Sequence, residues 1–225
     1  MPPEDQDVPR DADPTADLHP ALRAADWPEP ASRIAGVTVR DAREEDHAAI
    51  ARLTVASYVD GGHVHPEDAY LEHLQDVAGR ARVARVLVGL VEQAGPTGAA
   101  EDTGQEPQPD GAVVAGSVVL TLPGMPMSET ARDGELEFRM LAVDPRVQRR
   151  GVARALVRAA IDRAEQLEGI DAVVLTTMET MTGAHRLYES EGFVRVPERD
   201  WRLSDIGQEP TDGADQLYWV FRRPV

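Results

Sequence analysis

The chain has 225 residues, is 42% hydrophobic and has no cysteine, so it can bury a sizeable core and has no disulfide, thiolate metal site or cysteine nucleophile. A formal charge of −17 argues against general nucleic-acid binding, which sets basic surface against phosphate. No apolar run approaches the ~20 residues of a membrane span, and the opening "MPPEDQDVPRDADP" lacks the basic start and apolar centre of a secretory signal, which makes a cytoplasmic protein the expectation.

Residues 1–33 are rich in Pro, Asp and Glu without sustained periodicity and read as a largely disordered tail. A domain over 34–225 follows. "IAGVTVRDA" reads as a first strand, and "REEDHAAIARLTVASYV" as an amphipathic helix through Ala49, Ile50, Leu53 and Val55. "HPEDAYLEHLQDVA" reads as a second helix entered through Pro66. "ARVLVGLVEQ" and "AVVAGSVVLTL" read as a strand hairpin, joined by a flexible Gly/Pro/acidic loop near 93–111.

In "ELEFRMLAV", Leu136, Phe138 and Met140 alternate with Glu135, Glu137 and Arg139, the period of a half-buried strand. "RGVARALVRAAIDRAEQLEG" is a helix stopping near Gly169, "DAVVLTTM" a strand, and "GAHRLYESEG" a short helix ending at Gly192. "FVRV" and "QLYWVFR" are final strands. The order predicts a mixed α/β domain.

Charge is concentrated at one point. Arg146, Arg149, Arg150, Arg154 and Arg158 stand between Asp144 and Asp162 with no acidic residue among them. A strand ending at "VDP" that feeds a helix beginning near Gly151 leaves N–H groups without intrahelical partners, and these with the helix dipole attract anions. Glycine there lets a phosphate approach closely. Arg154 and Arg158, four apart, share one outer face of the helix; the competing reading is an ordinary helix start with solvated arginines, some paired with Asp144, Asp162 or Glu165. "QRRGVA" lacks the Lys-Ser/Thr of a P-loop and the further glycines of a dinucleotide fingerprint.

"VDPRVQRRGVARALV", followed about 30 residues later by "GAHRLYESEGF", resembles the GNAT N-acetyltransferase superfamily. The first segment is similar to its Q/R-x-x-G-x-G/A loop at Gln148, Gly151 and Ala153, the second to its A-x-x-x-Y-x-x-x-G-F pattern at Ala184, Tyr188, Gly192 and Phe193. The resemblance implies a GNAT-like fold, a central mostly antiparallel sheet flanked by helices, with acetyl-CoA as co-substrate. The acceptor it implies is a primary amine, of a small molecule or a peptide. Backbone N–H groups of Arg149, Arg150, Gly151, Val152 and Ala153 would hold the pyrophosphate, and the strand end at Leu141, Ala142 and Val143 the pantetheine arm. An N–H near Val143 would stabilise the oxyanion.

By the same resemblance Tyr188 is the acid for the leaving thiolate and Glu137 the base, with Glu135, water or an already neutral amine as alternatives. A Glu137–Arg139 ion pair is the rival explanation of that glutamate. Where many members carry an asparagine, three residues before Ala184, this chain has Met181. That departure keeps open a non-catalytic acyl-CoA sensor.

His63 and His65 lack a third ligand at a characteristic spacing, so no metal site is expected, though they lie where an acceptor would enter. His185 reads as a packing or cap residue, and Trp201 as the anchor of an exposed turn or the edge of the acceptor pocket. Met125, Met127, Met178 and Met181 read as core fillers. A twofold homodimer is the commonest symmetric arrangement open to such a chain.

Overall fold

A computed structural model describes residues 33–34, 36–92, 111–207 and 215–225. The expected tail (1–33) and loop (93–111) lie outside the described residues, except for Arg33 and Gly111. In chain order the elements are β1 (Arg33–Ile34), β2 (Val37–Asp41), α1 (His47–Asp60), α2 (Tyr70–Gln75), α3 (Val77–Val83), β3 (Arg85–Glu92), β4 (Ala112–Thr121), β5 (Glu135–Val143), α4 (Val152–Gln166), β6 (Ala172–Met178), α5 (Thr182–Ser190), β7 (Val194–Arg195), β8 (Trp201–Arg202) and β9 (Leu217–Pro224). The strands form one sheet in the order β1-β2-β3-β4-β5-β6-β9-β7, with β8 also on β9. Every pairing is antiparallel except β5–β6, which α4 connects. This is the mixed α/β architecture expected.

The apolar periodicity of α4 packs Val152, Leu156, Ala159 and Ala160 against one face of the sheet, in a core that also holds Phe138, Tyr188, Phe193 and Phe221. The other face packs against α1–α3 through Ile50, Leu53, Leu74 and Val77. Gly89 and Gly116 are cross-strand partners under the start of α4. A Cβ on Gly116 would lie 2.8 Å from Val152 Cγ1 and 2.8 Å from Ala142 O. This glycine pair therefore seats the N-terminus of α4 directly on the sheet.

One irregularity shapes everything downstream. The β4–β5 register shifts between Ser117 and Val119, so β5 carries one extra residue, and Met140 there has φ 51°. The bulge reverses the alternation. Leu136 and Phe138 face the α4 core before it; Met140 and Ala142 face the α1 core after it, while Leu141 and Val143 pack toward α4. The parallel β5–β6 ladder covers only Glu135↔Ala172 to Glu137↔Val174. Beyond it the strands diverge, and the β6-facing edge of β5 from Phe138 to Val143 has no ladder partner among the described residues.

Three expectations are corrected. The helix expected through Pro66 is two helices, α2 and α3. Asp76 breaks it at ψ 69° and turns its carboxylate to accept from Gly79 N at 2.8 Å, capping α3. Strand β5 is buried on both faces, not one, with Glu135 and Glu137 4% and 0% exposed. Met125 and Met127 fill the core as expected, but Met178 and Met181 are only half-buried.

Candidate active site

A groove of about 880 Å³ opens where β5 and β6 part. Its walls are the β5 edge (Phe138 to Leu141, and Val143), the turn and first residues of α4 (Gln148, Arg149, Gly151 to Arg154), β6 (Thr176, Thr177) and α5 with the turn before it (Thr180 to Ala184, Arg186 to Tyr188). Ser57, Tyr58 and His63 close it on the α1 side. One cleft therefore runs through the sheet from the α4–α5 face to the α1 face. Strand, loop and helix segments remote in sequence meet there because the bulge opened the strand pair.

The turn before α4 is built to receive an anion. Asp144 caps a 3-10 turn at Pro145–Val147, and its carboxylate binds Arg146 through N, Nε and Nη2 at 3.0, 3.0 and 2.7 Å. Burial pushes the Asp144 carboxyl up, but the Arg146 bonds outweigh it and hold it below the ordinary range. Arg149 (φ 64°) and Gly151 (φ 83°) then take left-handed conformations, a feature of backbone anion nests. The first α4 bond runs from Ala155 N to Gly151 O at 2.9 Å. The N–H groups of Gly151, Val152, Ala153 and Arg154 have no acceptor among the described residues. A Cβ at Gly151 would meet nothing within 4 Å, so the space before these donors is open.

The five arginines now separate. Arg146 belongs to Asp144, and Arg154 and Arg158 clamp Glu191 at 3.2 and 2.8 Å, tying α4 to the end of α5. Arg149, Arg150 and, from α5, Arg186 make no ion pair with the described residues.

Tyr188, 5% exposed, is held among Phe138, Phe193 and Phe221 with ring centroids 5.8–6.1 Å apart, and it lines the groove. Burial pushes its phenol well above the ordinary tyrosine range, so it is protonated at neutral pH. Met181, at the α5 start, lines the groove and accepts from Thr177 Oγ1 at 3.5 Å through its sulfur.

Glu137 is fully buried and is not among the residues lining the groove. Its Oε2 accepts from Ser128 Oγ and from the N–H groups of Glu129, Thr130 and Ala131 at 3.0, 3.0, 3.0 and 3.1 Å. Oε1 has no hydrogen-bond partner among the described residues and lies 3.7 Å from Arg139 Nε. Arg139 also donates to Met127 O at 2.6 Å and pairs with Glu129. Burial pushes the Glu129 carboxyl up. Glu135 is held elsewhere, by Arg199 at 2.8 Å and Arg222 at 2.7 Å.

Of the residues singled out in sequence, the groove gathers Tyr188, Leu141, Val143, Gln148, Arg149, Gly151, Val152 and Ala153. Ala142 faces the α1 core, and Arg150 is exposed on the turn. His63 reaches the groove, while His65 does not. His185 stacks on Trp219 at 4.6 Å and bonds Met178 O, a packing role, and Trp201 stacks on Tyr218 at 4.4 Å. Sequence reasoning missed Tyr58 and the groove position of Arg139. Tyr58 sits on an amphipathic helix where a tyrosine reads as packing, and the bulge beside Arg139 has no sequence signature. No group of three or more metal-ligating side chains occurs among the described residues. No described helix is long and apolar enough to cross a membrane.

Residues 66–193 match the model of the Acetyltransferase (GNAT) family. The chain is 37% identical over 91 residues to an N-acetylaspartate synthetase of Danio rerio, covering 40% of this chain and 31% of that protein. A Rattus norvegicus protein of the same name matches at 38% over 82 residues, 36% of this chain and 26% of that protein. The chain thus spans under a third of the length of these relatives. Among solved structures, Arabidopsis thaliana NAA60 in complex with acetyl-CoA superposes with a TM-score of 0.56 at 17% identity, covering 84% of this chain and 98% of that one. A GCN5-related N-acetyltransferase from Kribbella flavida gives 0.52 at 25% identity, with 84% and 98% covered. The family model spans more than half of the residues, and the chain belongs to the GNAT acetyltransferase family.

Proposed function

We propose that this protein is an acetyl-CoA-dependent N-acetyltransferase acting on a small-molecule primary amine. The observation that carries the reading is the shared groove. Unpartnered N–H groups at the start of α4, the open edge of β5 and the Tyr188 phenol all border one cleft. The donor set fits a pyrophosphate: four main-chain N–H groups, a helix N-terminus and unpaired Arg149 and Arg150. The β5 edge offers strand-like hydrogen bonds to an extended amide-bearing arm. When bound, acetyl-CoA supplies an acetyl group activated as a thioester.

Around that group the chain's own residues have distinct tasks. Residues 149–153 bind and orient the diphosphate, and the backbone at Leu141–Val143 aligns the arm, with an N–H at Val143 facing developing negative charge. Tyr188, kept protonated by burial, gives its proton to the departing sulfur. The aromatic wall of Phe138, Phe193 and Phe221 fixes the Tyr188 ring. The amine must lose a proton to attack. Glu137 serves this step indirectly, since its carboxylate is committed to the 128–131 turn, and water in the cleft carries the proton away.

The small-molecule acceptor is supported by the N-acetylaspartate synthetase relatives, whose name describes a single amino acid as acceptor. Thiol release from acetyl-CoA across free amines and amino-terminal peptides tests the assignment. Turnover of free amines but not peptides is expected. Peptide-only turnover would transfer the assignment to protein acetylation, and cofactor binding with no turnover of either to a sensor.

A further inference from the structure

Four arginines line the groove. Arg149, Arg154 and Arg186 stand on the turn before α4, on α4 and on α5, around the proposed diphosphate site. Arg139 stands apart from them on β5, beside the bulge, at the end closed by Tyr58 and His63. Burial lowers the His63 pKa, so the imidazole is neutral at pH 7 and Arg139 is the groove's cation at that end among the described residues. Its side chain is 15% exposed. Nη1 donates to Met127 O, Nη2 pairs with Glu129, and Nε approaches Glu137, contacts that engage at most three of its five N–H donors. Tyr58 adds a phenol to this end of the groove, its ring 6.5 Å from that of Tyr70.

We infer that Arg139 binds a carboxylate of the acceptor, so that the substrate is an amino acid, an amine with a carboxylate beside it, and not a simple amine. This rests on the N-acetyltransferase reading above. A guanidinium fork matches a carboxylate in shape and charge, and a side chain this far from water gives its remaining donors few other partners. A neutral acceptor would cover those donors without satisfying them. A cationic amine alone would bring like charge against the guanidinium. A zwitterion brings a carboxylate of its own to Arg139, in competition with Glu129, whose side chain is 34% exposed. Glu137 positions this arrangement, because the turn it grips carries Glu129.

The test uses the full chain with acetyl-CoA and a panel of L-amino acids set against their carboxamides. Thiol release from wild type is expected to favour the acids by about tenfold or more in kcat/KM, although an amide's amine gives up its proton more easily. Arg139→Gln should bring the acid-to-amide ratio to about one, through KM for the acid, with acetyl-CoA KM unmoved. Glu129→Gln, which removes the carboxylate competing for Arg139, should lower KM for the acids. Equal turnover of acids and amides by wild type would overturn the inference. So would a proportional loss of both in Arg139→Gln, or a raised acid KM in Glu129→Gln, each of which marks Arg139 as a structural strap. If Arg139→Gln does not fold, the wild-type ratio and Glu129→Gln decide. If nothing turns over, calorimetry of amino acids against the CoA-loaded protein replaces kinetics, and no binding overturns the inference. A chain that binds no CoA overturns instead the transferase reading beneath it.

Discussion

The carboxylate of Glu137 accepts the backbone N–H of Glu129 at 3.0 Å, eight residues back along the chain, and the same oxygen takes three more donors from Ser128, Thr130 and Ala131. A fully buried carboxylate with four donors on one oxygen organises a turn. Glu137→Ala should cost about 2–4 kcal/mol in urea denaturation, since buried N–H groups lose a charged partner. Glu137→Gln should destabilise less and leave the acid limb of the kcat/KM profile in place. Loss of that limb would restore Glu137 as the base.

Tyr188→Phe removes one oxygen from an aromatic cluster that accepts phenylalanine without rearrangement. Stability should change little, while kcat falls by about 10²-fold and acetyl-CoA KM stays level. Because burial raises the phenol's pKa, wild type should show no loss of rate from tyrosine ionisation as pH rises toward 10. Unchanged kcat in the variant would remove the hydroxyl from the mechanism.

Gly151 has φ 83° and open space where a Cβ would stand. Gly151→Val should therefore act through backbone strain, costing about 1–2 kcal/mol of stability, and raise the CoA Kd about tenfold, equal to 1.4 kcal/mol. Gly151→Asn, which tolerates the left-handed region, should recover most of the stability. Unchanged CoA affinity in Gly151→Val would place the diphosphate elsewhere.

Glu135 gives an acid-stability signature. Burial alone would raise its pKa, but hydrogen bonds from Arg199, Arg222 and the Arg132 N–H outweigh it and hold the carboxyl at about 2. With an unfolded value of about 4.3, its contribution is fully present above that pH and is lost as pH falls toward 2. Glu135→Gln should flatten stability over this window in pH-dependent denaturation. It should also destabilise at pH 7, since Arg199 is left buried without its counter-charge.

Local sequence determined the elements and the loop chemistry. Apolar spacing marks α4, a glycine marks its left-handed start, and acid-free arginines mark the turn, because capping, helix periodicity and backbone freedom act over a few residues. The same locality placed Tyr188 on a short helix ending in a glycine. Tertiary structure decided which of the helix charges are free: Arg154 and Arg158 are spent on Glu191, a contact that spans 33 residues from Arg158. It decided the burial of β5 as well, because alternation cannot show that arginines from β9 and the turn before β8 enclose Glu135. Above all, it opened the cleft. One extra residue near Met140 reverses the facing of β5 and parts it from β6, and register is a property of two strands together, which neither one encodes alone.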